Sequence, residues 1–331
     1  MSSRPRVLSG IQPTGAGKHL GNYLGAVRYW ASMQDENECF YFIADLHSLT
    51  ITPDPAELRA QTRKLIAELL AMGVDPDRSA LFLQSHLPEH AELGWVMSCL
   101  TGFGEASRMT QFKEKGGGNG GNVGLFNYPI LQAADILLYQ ANRVPVGEDQ
   151  RQHLELTRDL AQRFNHRYGA TFTVPDPYVQ KTAERIKDLQ DPTAKMSTSK
   201  GGSGTLWVIE DDRATLKKVK SAVTDTGREV TYDVDTKPGI SNLLTILSVA
   251  TGTAVPDLEV QFEGKGYGDF KAAVAEAVLG QFAPIRSRFA ELVADTGYLD
   301  EVVKHGAARA REVASVTMAQ VRDRVGLLPS S

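Results

Sequence analysis

The chain has 331 residues, 42% of them hydrophobic and 23% charged, which is the balance of a folded protein with one large or two ordinary domains. Its formal net charge of −4 argues against a protein that coats nucleic acids without specificity, although a local basic patch can still bind one RNA. Cys39 and Cys99 lack metal or redox spacing, which favours a reducing compartment. No apolar run approaches membrane-spanning length, and the N-terminus lacks an apolar signal core. We therefore expect a cytoplasmic protein with no membrane partner.

The first feature along the chain is a turn rich in glycine and proline at residues 10–25, between a short apolar run and an amphipathic segment. A strand, a turn and a helix start in that order present backbone N–H groups and the positive end of a helix to a phosphate. The Walker pattern fails because Gln12 replaces its first Gly and His19 its Ser or Thr, and the glycine spacing also fails the dinucleotide pattern. What remains is HLGN at 19–22, which is either a tight turn with a capping Asn or part of a phosphate site.

Strand and helix patterns then alternate. The continuous apolar run at 39–44 is typical of a strand buried on both faces, as in a parallel sheet. Further segments follow: a helix from Pro55 through about 72, a strand at 81–83, a helix at 89–100, a helix from Pro129 through about 140, a strand at 143–146 and a helix through about 167. This alternation predicts an α/β fold, namely a doubly wound, parallel-sheet, Rossmann-like catalytic domain over 1–200, with ligands beyond the carboxyl ends of its strands.

The pattern changes in the last third of the chain, where strand signals vanish. Helical periodicity covers about 212–223, 240–250, 269–294 and 300–325, with Pro284 predicting a kink. We expect a mostly α-helical second domain over 201–331, whose last helix packs back on the first domain. A basic cluster at Lys217, Lys218 and Lys220 is most simply a solvated helix face.

Several side chains need an explanation. Asp135 lies within an apolar helical stretch, where a buried carboxylate is costly unless it accepts hydrogen bonds from a protein group or from a ligand. His47 follows the second strand and therefore lies at the ligand edge of the sheet. His86 and His90 are spaced like metal ligands, but Pro88 between them disfavours one helical face, so we predict no protein-held metal.

Two basic segments are associated with glycines. Lys113 and Lys115 precede the glycine-rich stretch at 116–122, which is either a flexible connector or a mobile lid that carries two cations over a phosphate site. The second segment, KMSTS at 195–199, runs into Lys200 and two glycines, and it is either a solvated turn or a movable phosphate clamp.

Together these stretches resemble a known family. HLGN at 19–22 and KMSTS at 195–199 resemble the HIGH and KMSKS motifs of class I aminoacyl-tRNA synthetases. FNYPILQAADIL at 126–137 and PVGEDQ at 145–150 narrow the resemblance to tryptophanyl-tRNA synthetases of the bacterial type. The likeness extends over nearly the whole chain through GISNLL at 239–244 and EGKGYG at 263–268.

This resemblance implies that the chain uses ATP to activate L-tryptophan as tryptophanyl-adenylate, and then transfers the amino acid to tRNA(Trp). It also implies a homodimer, with the helical domain on the anticodon side of the tRNA. Mg²⁺ is expected to arrive on the phosphates of ATP rather than in a protein cage. The alternatives are a tyrosyl-tRNA synthetase, a small-molecule adenylyltransferase of the same superfamily, and a non-catalytic paralogue that senses tryptophan or RNA.

The resemblance also assigns residues. It implies catalytic roles for His19, Lys113, Lys115 and Lys195. It implies ATP contacts for Gln12, Pro13, Thr14, Gly21, Asn22, Gly147, Glu148, Asp149, Ile186, Lys195, Met196, Ser197, Thr198 and Ser199. It implies tryptophan contacts for Leu8, His47, Tyr128, Gln132, Asp135, Val144, Val146 and Gln150. In this assignment Asp135 accepts the indole N–H, which phenylalanine does not offer.

Two positions depart from the family pattern. Thr198 stands at the second Lys of KMSKS, and Gln132 stands where many relatives carry Met. The missing ammonium at 198 can come from Lys200, or from Lys113 and Lys115. We favour Lys115 because the glycines that follow it suit a loop that closes over pyrophosphate.

Overall fold

A computed structural model describes residues 4–13, 15, 17–109, 121–147, 150–179, 186–197 and 202–328, with the backbone alone for 26, 146 and 177–179. Five strands form one parallel sheet in the order β3-β2-β1-β4-β5. The strands are β1 (Arg6–Ile11), β2 (Glu38–Ile43), β3 (Ser79–Leu83), β4 (Arg143–Val146) and β5 (Asp176–Val179). The strand order reverses between β1 and β4, and in such sheets ligands bind beside that point. The predicted doubly wound α/β fold is confirmed.

Side chains alternate along the strands into two cores. Val7 and Tyr41 pack on one face of the sheet, whereas Leu8, Phe40 and Phe82 pack on the other. Both faces are apolar because both are covered by helices, which explains the unbroken hydrophobic run of β2. The edge strand β5 was not predicted. Its four residues include Pro177, which cannot donate to a ladder and is tolerated at a sheet edge.

The helices of the first two thirds lie between the strands. They are α1 (Leu20–Asn22), α2 (Arg28–Met33), α3 (Asp45–Ser48), α4 (Pro55–Ala71), α5 (Glu89–Leu100), α6 (Phe103–Ser107), α7 (Val123–Leu138) and α8 (Arg151–Tyr168). A π-helical turn at Tyr23–Val27 joins α1 to α2, and short 3₁₀ turns follow α3 and β3. These elements follow the predicted alternation, and α5 has the predicted bounds.

The predicted start of α7 at Pro129 is wrong. The helix begins at Val123, where the Asn122 side chain accepts a hydrogen bond from the N–H of Leu125 and caps the helix. Pro129 therefore lies inside the helix rather than in its first turn. The capping Asn was a usable signal, but it stands at the end of a glycine-rich stretch and was read as part of that loop.

In the last third every regular element among the described residues is a helix, and irregular segments such as 221–237 join these helices. Its helices are α9 (Asp212–Lys220), α10 (Pro238–Thr251), α11 (Val255–Gln261), α12 (Tyr267–Ala294) and α13 (Thr296–Val325). No single described helix is long and apolar enough to cross a membrane, although α10 and α11, bent by 105°, pass together on length and composition alone.

The core crosses the predicted domain boundary. One apolar cluster contains Val7 of β1 together with Leu243 of α10 and Phe270 of α12. The long helix α13 packs against β3, where a Cβ at Gly306 would lie 1.9 Å from the carbonyl oxygen of Leu81. The division at residue 200 stays a prediction.

Candidate active site

The turn after β1 presents His19 at the start of a helix. The N–H of Asn22 donates to His19 Nδ1 over 3.2 Å, and the N–H of His19 donates to Asn22 Oδ1 over 3.3 Å. This reciprocal cap satisfies two backbone donors and fixes the imidazole. Because Nδ1 accepts a hydrogen bond, the proton of the neutral ring is on Nε2. His19 thus offers one N–H donor at the ligand edge of the sheet.

The charge state of His19 follows from its surroundings. Burial and, to a smaller extent, the positive charges of Lys195 and Lys18 together lower the pKa of His19 to about 4. The ring is therefore neutral at pH 7. The electrostatic influence of Lys195 also means that the two predicted catalytic motifs lie close together.

The chain that follows the KMSTS segment is bonded to the His19 turn. The N–H of Leu20 donates to the carbonyl of Leu206 over 2.8 Å, and Val208 N–H donates to the carbonyl of Lys18 over 2.9 Å. Trp207 stands between Leu206 and Val208 in the chain, and its ring centroid lies 6.2 Å from that of His19. Sequence reasoning missed Trp207, because nothing in the amino-acid sequence around it indicates a place beside His19.

The segment that carries Lys195 is a short antiparallel turn. Met196 N–H donates to the carbonyl of Ile186 over 3.1 Å, and Asp188 N–H donates to the carbonyl of Ala194 over 3.0 Å. Met196 and Ile186 are buried, whereas Lys195 is exposed. The turn thus anchors its apolar residues in the core and leaves the Lys195 ammonium in solvent.

Lys18 was also missed. Its side chain is buried against α4, where its charge interacts with Glu68 and Lys64. Burial lowers the pKa of Lys18 and raises the pKa of Glu68. Two lysines beside one carboxylate give this cluster a net positive charge when all three groups are ionised, and Lys18 is the residue that precedes His19.

The Asp135 carboxylate lies 1% exposed on α7, and three protein donors surround it. Gln84 Nε2 is 2.8 Å and His90 Nδ1 is 2.7 Å from Oδ1, while His47 Nε2 is 2.8 Å from Oδ2. Burial alone raises the pKa of Asp135, but the hydrogen bonds from His47 and His90 outweigh it and hold the pKa at about 2. The protein itself therefore supplies partners for the predicted ligand acceptor, and it keeps that acceptor ionised.

The same cluster contains acceptors that lack donors. His47 Nδ1 and Gln84 Oε1 are buried and have no hydrogen-bond partner among the described residues. His47 Nε2 and Gln84 Nε2 are both hydrogen-bonded to Asp135, so the two unpaired acceptors belong to side chains of the same cluster. An unmet buried acceptor costs free energy, so this region favours a ligand that brings N–H or O–H groups.

A second polar group adjoins α7. The Tyr128 hydroxyl lies 3.1 Å from His153 Nε2, and His153 Nδ1 lies 2.9 Å from Gln150 Oε1. Gln132 Nε2 donates to the same Gln150 oxygen over 3.3 Å. Tyr128, Gln132 and Gln150, three of the predicted tryptophan contacts, are thus joined, and His153 is the residue that sequence reasoning missed.

For the other predicted site residues, the structure gives their burial. Leu8 and Val144 are buried in the apolar cluster that includes α7, Pro13 is buried, and Gln12 and Gly147 are exposed. Several predicted residues lie outside the described residues: Thr14, Lys113, Lys115, Glu148, Asp149, Thr198, Ser199 and Lys200. The side chain of Val146 also lies outside them. Among the described residues, no group of three or more His, Cys, Asp or Glu side chains is placed to hold a metal ion.

Comparison with known proteins gives one consistent result. The model of the family "tRNA synthetases class I (W and Y)" matches residues 1–283. A tryptophan–tRNA ligase 2 of Streptomyces avermitilis is 58% identical over 333 residues, which cover 99% of this chain and 99% of the relative.

Two solved structures are similar over nearly the full length. The tryptophanyl-tRNA synthetase of Mycoplasma pneumoniae superposes with a TM-score of 0.86 at 38% identity, covering 98% of each chain. The enzyme of Campylobacter jejuni, complexed with ADP and tryptophan, gives a TM-score of 0.86 at 34% identity and covers 97% of this chain and 100% of its own.

Proposed function

The chain belongs to the class I tRNA synthetases of the tryptophan and tyrosine group, and we infer from its site that it is the tryptophan enzyme. It activates L-tryptophan with ATP and transfers the amino acid to tRNA. The observation that carries the choice of amino acid is the ionised Asp135 beside two buried acceptors. An indole N–H is the donor that such a site selects, because an analogue without it leaves the acceptors unmet.

Activation needs no general base. The tryptophan carboxylate is ionised at neutral pH and attacks the α-phosphorus of ATP, while the bond from that phosphorus to its bridging oxygen breaks and pyrophosphate leaves. Catalysis then depends on donors and cations that interact more strongly as negative charge develops on the leaving group. We assign this work to the Nε2–H of His19 and the ammonium of Lys195, supported by their closeness at the sheet edge. Mg²⁺ enters on the phosphates of ATP.

A homodimer is the assembly we propose, in the cytoplasm where tRNA is charged. Five large apolar side chains are exposed on elements that pack against α7 or begin it. They are Leu49, Ile51, Trp95, Phe103 and Val123. Exposed apolar side chains on neighbouring elements suit a second copy of the same chain, since a two-fold interface sets one surface against itself.

The dimer is tested by measuring mass in solution by analytical ultracentrifugation. The double change Trp95→Glu and Phe103→Glu is expected to give monomers, because it puts two unpaired charges into the interface. Val260→Glu is the matched control, since Val260 is equally exposed but lies on α11. A wild-type protein that is monomeric at micromolar concentration contradicts the proposal.

Amino-acid-dependent ATP–pyrophosphate exchange tests the activity. Exchange with tryptophan and none with tyrosine is the expected result. Exchange with tyrosine alone identifies the sister enzyme. Tryptophan binding without exchange identifies a sensor that has lost its chemistry.

A further inference from the structure

We propose that His90 is a positioning residue for amino-acid recognition, which holds the Asp135 carboxylate so that one oxygen stays open toward a ligand donor. This inference rests on the proposed function. His90 lies on α5 and is completely buried. Its ring lies between two polar groups, one on α7 and one on the residue that follows α7. Nδ1 is 2.7 Å from Asp135 Oδ1, and Nε2 is 2.8 Å from the Tyr139 hydroxyl.

The direction of the hydrogen bond to Asp135 is fixed. Asp135 is ionised and accepts only, so His90 Nδ1 carries a proton and donates it. Burial raises the pKa of Tyr139 well above its usual value, so its hydroxyl keeps its proton and can donate to His90 Nε2. With its proton on Nδ1, His90 donates to Asp135 and can accept from Tyr139 at Nε2, so this tautomer satisfies both partners.

The two carboxylate oxygens of Asp135 accept different numbers of hydrogen bonds. Oδ1 accepts from both His90 and Gln84, which uses its two lone pairs. Oδ2 accepts from His47 and from no other described residue. The carboxylate is therefore anchored through Oδ1, and its free accepting capacity is on Oδ2. Loss of the His90 donor would release the anchored oxygen rather than the open one.

The groups that face this carboxylate come from four elements. His47 reaches it from α3, Gln84 from the 3₁₀ turn after β3, and His90 from α5. Tyr139, at the end of the helix that carries Asp135, interacts electrostatically with the carboxylate. The charge of Glu89 raises the pKa of Tyr139 and that of Arg311 lowers it.

Aromatic rings surround His90. Phe42 and Phe82 lie 5.8 Å and 6.2 Å from the His90 ring, and Tyr139 lies 5.5 Å away. An aliphatic replacement of His90 therefore fills an apolar space and supplies no donor. The Asp135 carboxylate then stays buried but accepts one hydrogen bond fewer, so its ionised form is less stable and its pKa rises.

The test compares two substitutions of one residue by steady-state exchange kinetics. His90→Leu removes the donor and is expected to raise the KM for tryptophan roughly 10- to 100-fold, as for the loss of a hydrogen bond to a charged group, with the KM for ATP unchanged. His90→Asn places an amide N–H where Nδ1–H was, and it is expected to restore a KM near that of the wild type. His90→Leu alone should begin to lose tryptophan affinity as the pH falls below about 5, because the loss of one hydrogen bond raises the pKa of Asp135 from about 2 by roughly one to two units.

Controls separate positioning from folding. Tyr41→Phe deletes a hydroxyl that is as buried as that of Tyr139 and donates to the Trp30 carbonyl over 2.8 Å, but on the other face of the sheet. It should lower stability without changing the KM for tryptophan, whereas Tyr139→Phe should raise that KM a few-fold. If His90→Leu does not fold, the pair Tyr139→Phe and Tyr41→Phe decides by the same readout.

Each outcome has one meaning. A folded His90→Leu protein with the wild-type KM and pH profile overturns the inference, and so does an Asn variant as impaired as the Leu variant. Absence of tryptophan-dependent exchange in the wild type overturns the proposed function instead.

Discussion

The two halves of the candidate site share one edge of the sheet and are built in opposite ways. On the amino-acid side, a single carboxylate is 1% exposed and is surrounded by three protein donors. On the phosphate side, a neutral His19 lies near two positive charges, those of the buried Lys18 and the exposed Lys195. One half satisfies its own charge before a ligand arrives, whereas the other gathers like charges that repel one another.

This difference follows from what each half must recognise. An indole offers a single N–H, so its acceptor has to be ionised, fixed and free of water beforehand. A triphosphate brings several negative charges, and the phosphate side gains most when charge develops on the leaving pyrophosphate. We therefore expect changes on the amino-acid side to weaken binding and changes on the phosphate side to slow the reaction.

The largest effect is expected from Asp135→Ala. The change removes the acceptor and leaves His47, Gln84 and His90 with unmet donors, so tryptophan binding should weaken by about 2–5 kcal/mol. Titration calorimetry with tryptophan and, separately, with ATP measures it. ATP affinity should stay nearly intact, and an unchanged tryptophan affinity in the folded variant would falsify the role of Asp135.

Lys195→Ala is the corresponding change on the phosphate side. Removing one donor that acts mainly in the transition state typically costs about 3–4 kcal/mol, a loss of roughly 10²–10³ in rate, with a smaller rise in the KM for ATP. Single-turnover formation of the adenylate measures it. Lys187→Ala is the matched control, because Lys187 pairs with Lys195 in the same turn and its ammonium donates to the Thr193 carbonyl instead. A rise in the KM for ATP as large as the fall in rate would mean that Lys195 only binds ATP and does not stabilise the transition state.

Sequence patterns predicted the half of the site that depends on short motifs better than the half that depends on packing. The HLGN turn and the KMSTS segment are local, and the alternation of apolar runs places both near the sheet edge. Asp135 was singled out because a carboxylate within an apolar helix needs partners. The partners themselves were not predictable. Gln84 and His90 stand 51 and 45 residues from Asp135. The packing of α5 on α7 brings His90 to the carboxylate, and the turn after β3 brings Gln84 to it.

The Lys195 turn has a steric requirement that sharpens the comparison. A Cβ at Gly204 would lie 1.8 Å from Asp188 Oδ1, which accepts the N–H groups of Gln190 and Asp191. Gly204→Ala must displace that carboxylate, so it should destabilise the protein by about 1–3 kcal/mol and slow activation while leaving tryptophan affinity unchanged. Urea unfolding and the exchange assay measure the two effects.

Gly280→Ala controls for the Gly204 substitution. Gly280 lies within α12, nothing lies within 4 Å of its added Cβ, and alanine favours a helix by about 1 kcal/mol over glycine. It should therefore stabilise the protein and leave activation unchanged. Loss of tryptophan affinity in Gly204→Ala would mean that the two halves of the site are mechanically coupled.

The smallest effect concerns the charge state of His19. Its pKa is about 4 in the folded protein and near 6.5 when unfolded, so between these values the unfolded chain binds more protons. Stability should therefore fall as the pH drops from about 6.5 toward 4, and at pH 5 this residue should account for a loss of about 2 kcal/mol relative to neutral pH. His19→Asn keeps an oxygen that can cap the helix but does not titrate, so its stability should fall less over the same range. The exposed His86, changed to Asn, controls for the loss of a histidine as such. Urea unfolding at several pH values measures the slopes, and equal slopes for His19→Asn and the wild type would mean that His19 is solvated and that the phosphate side does not hold it neutral.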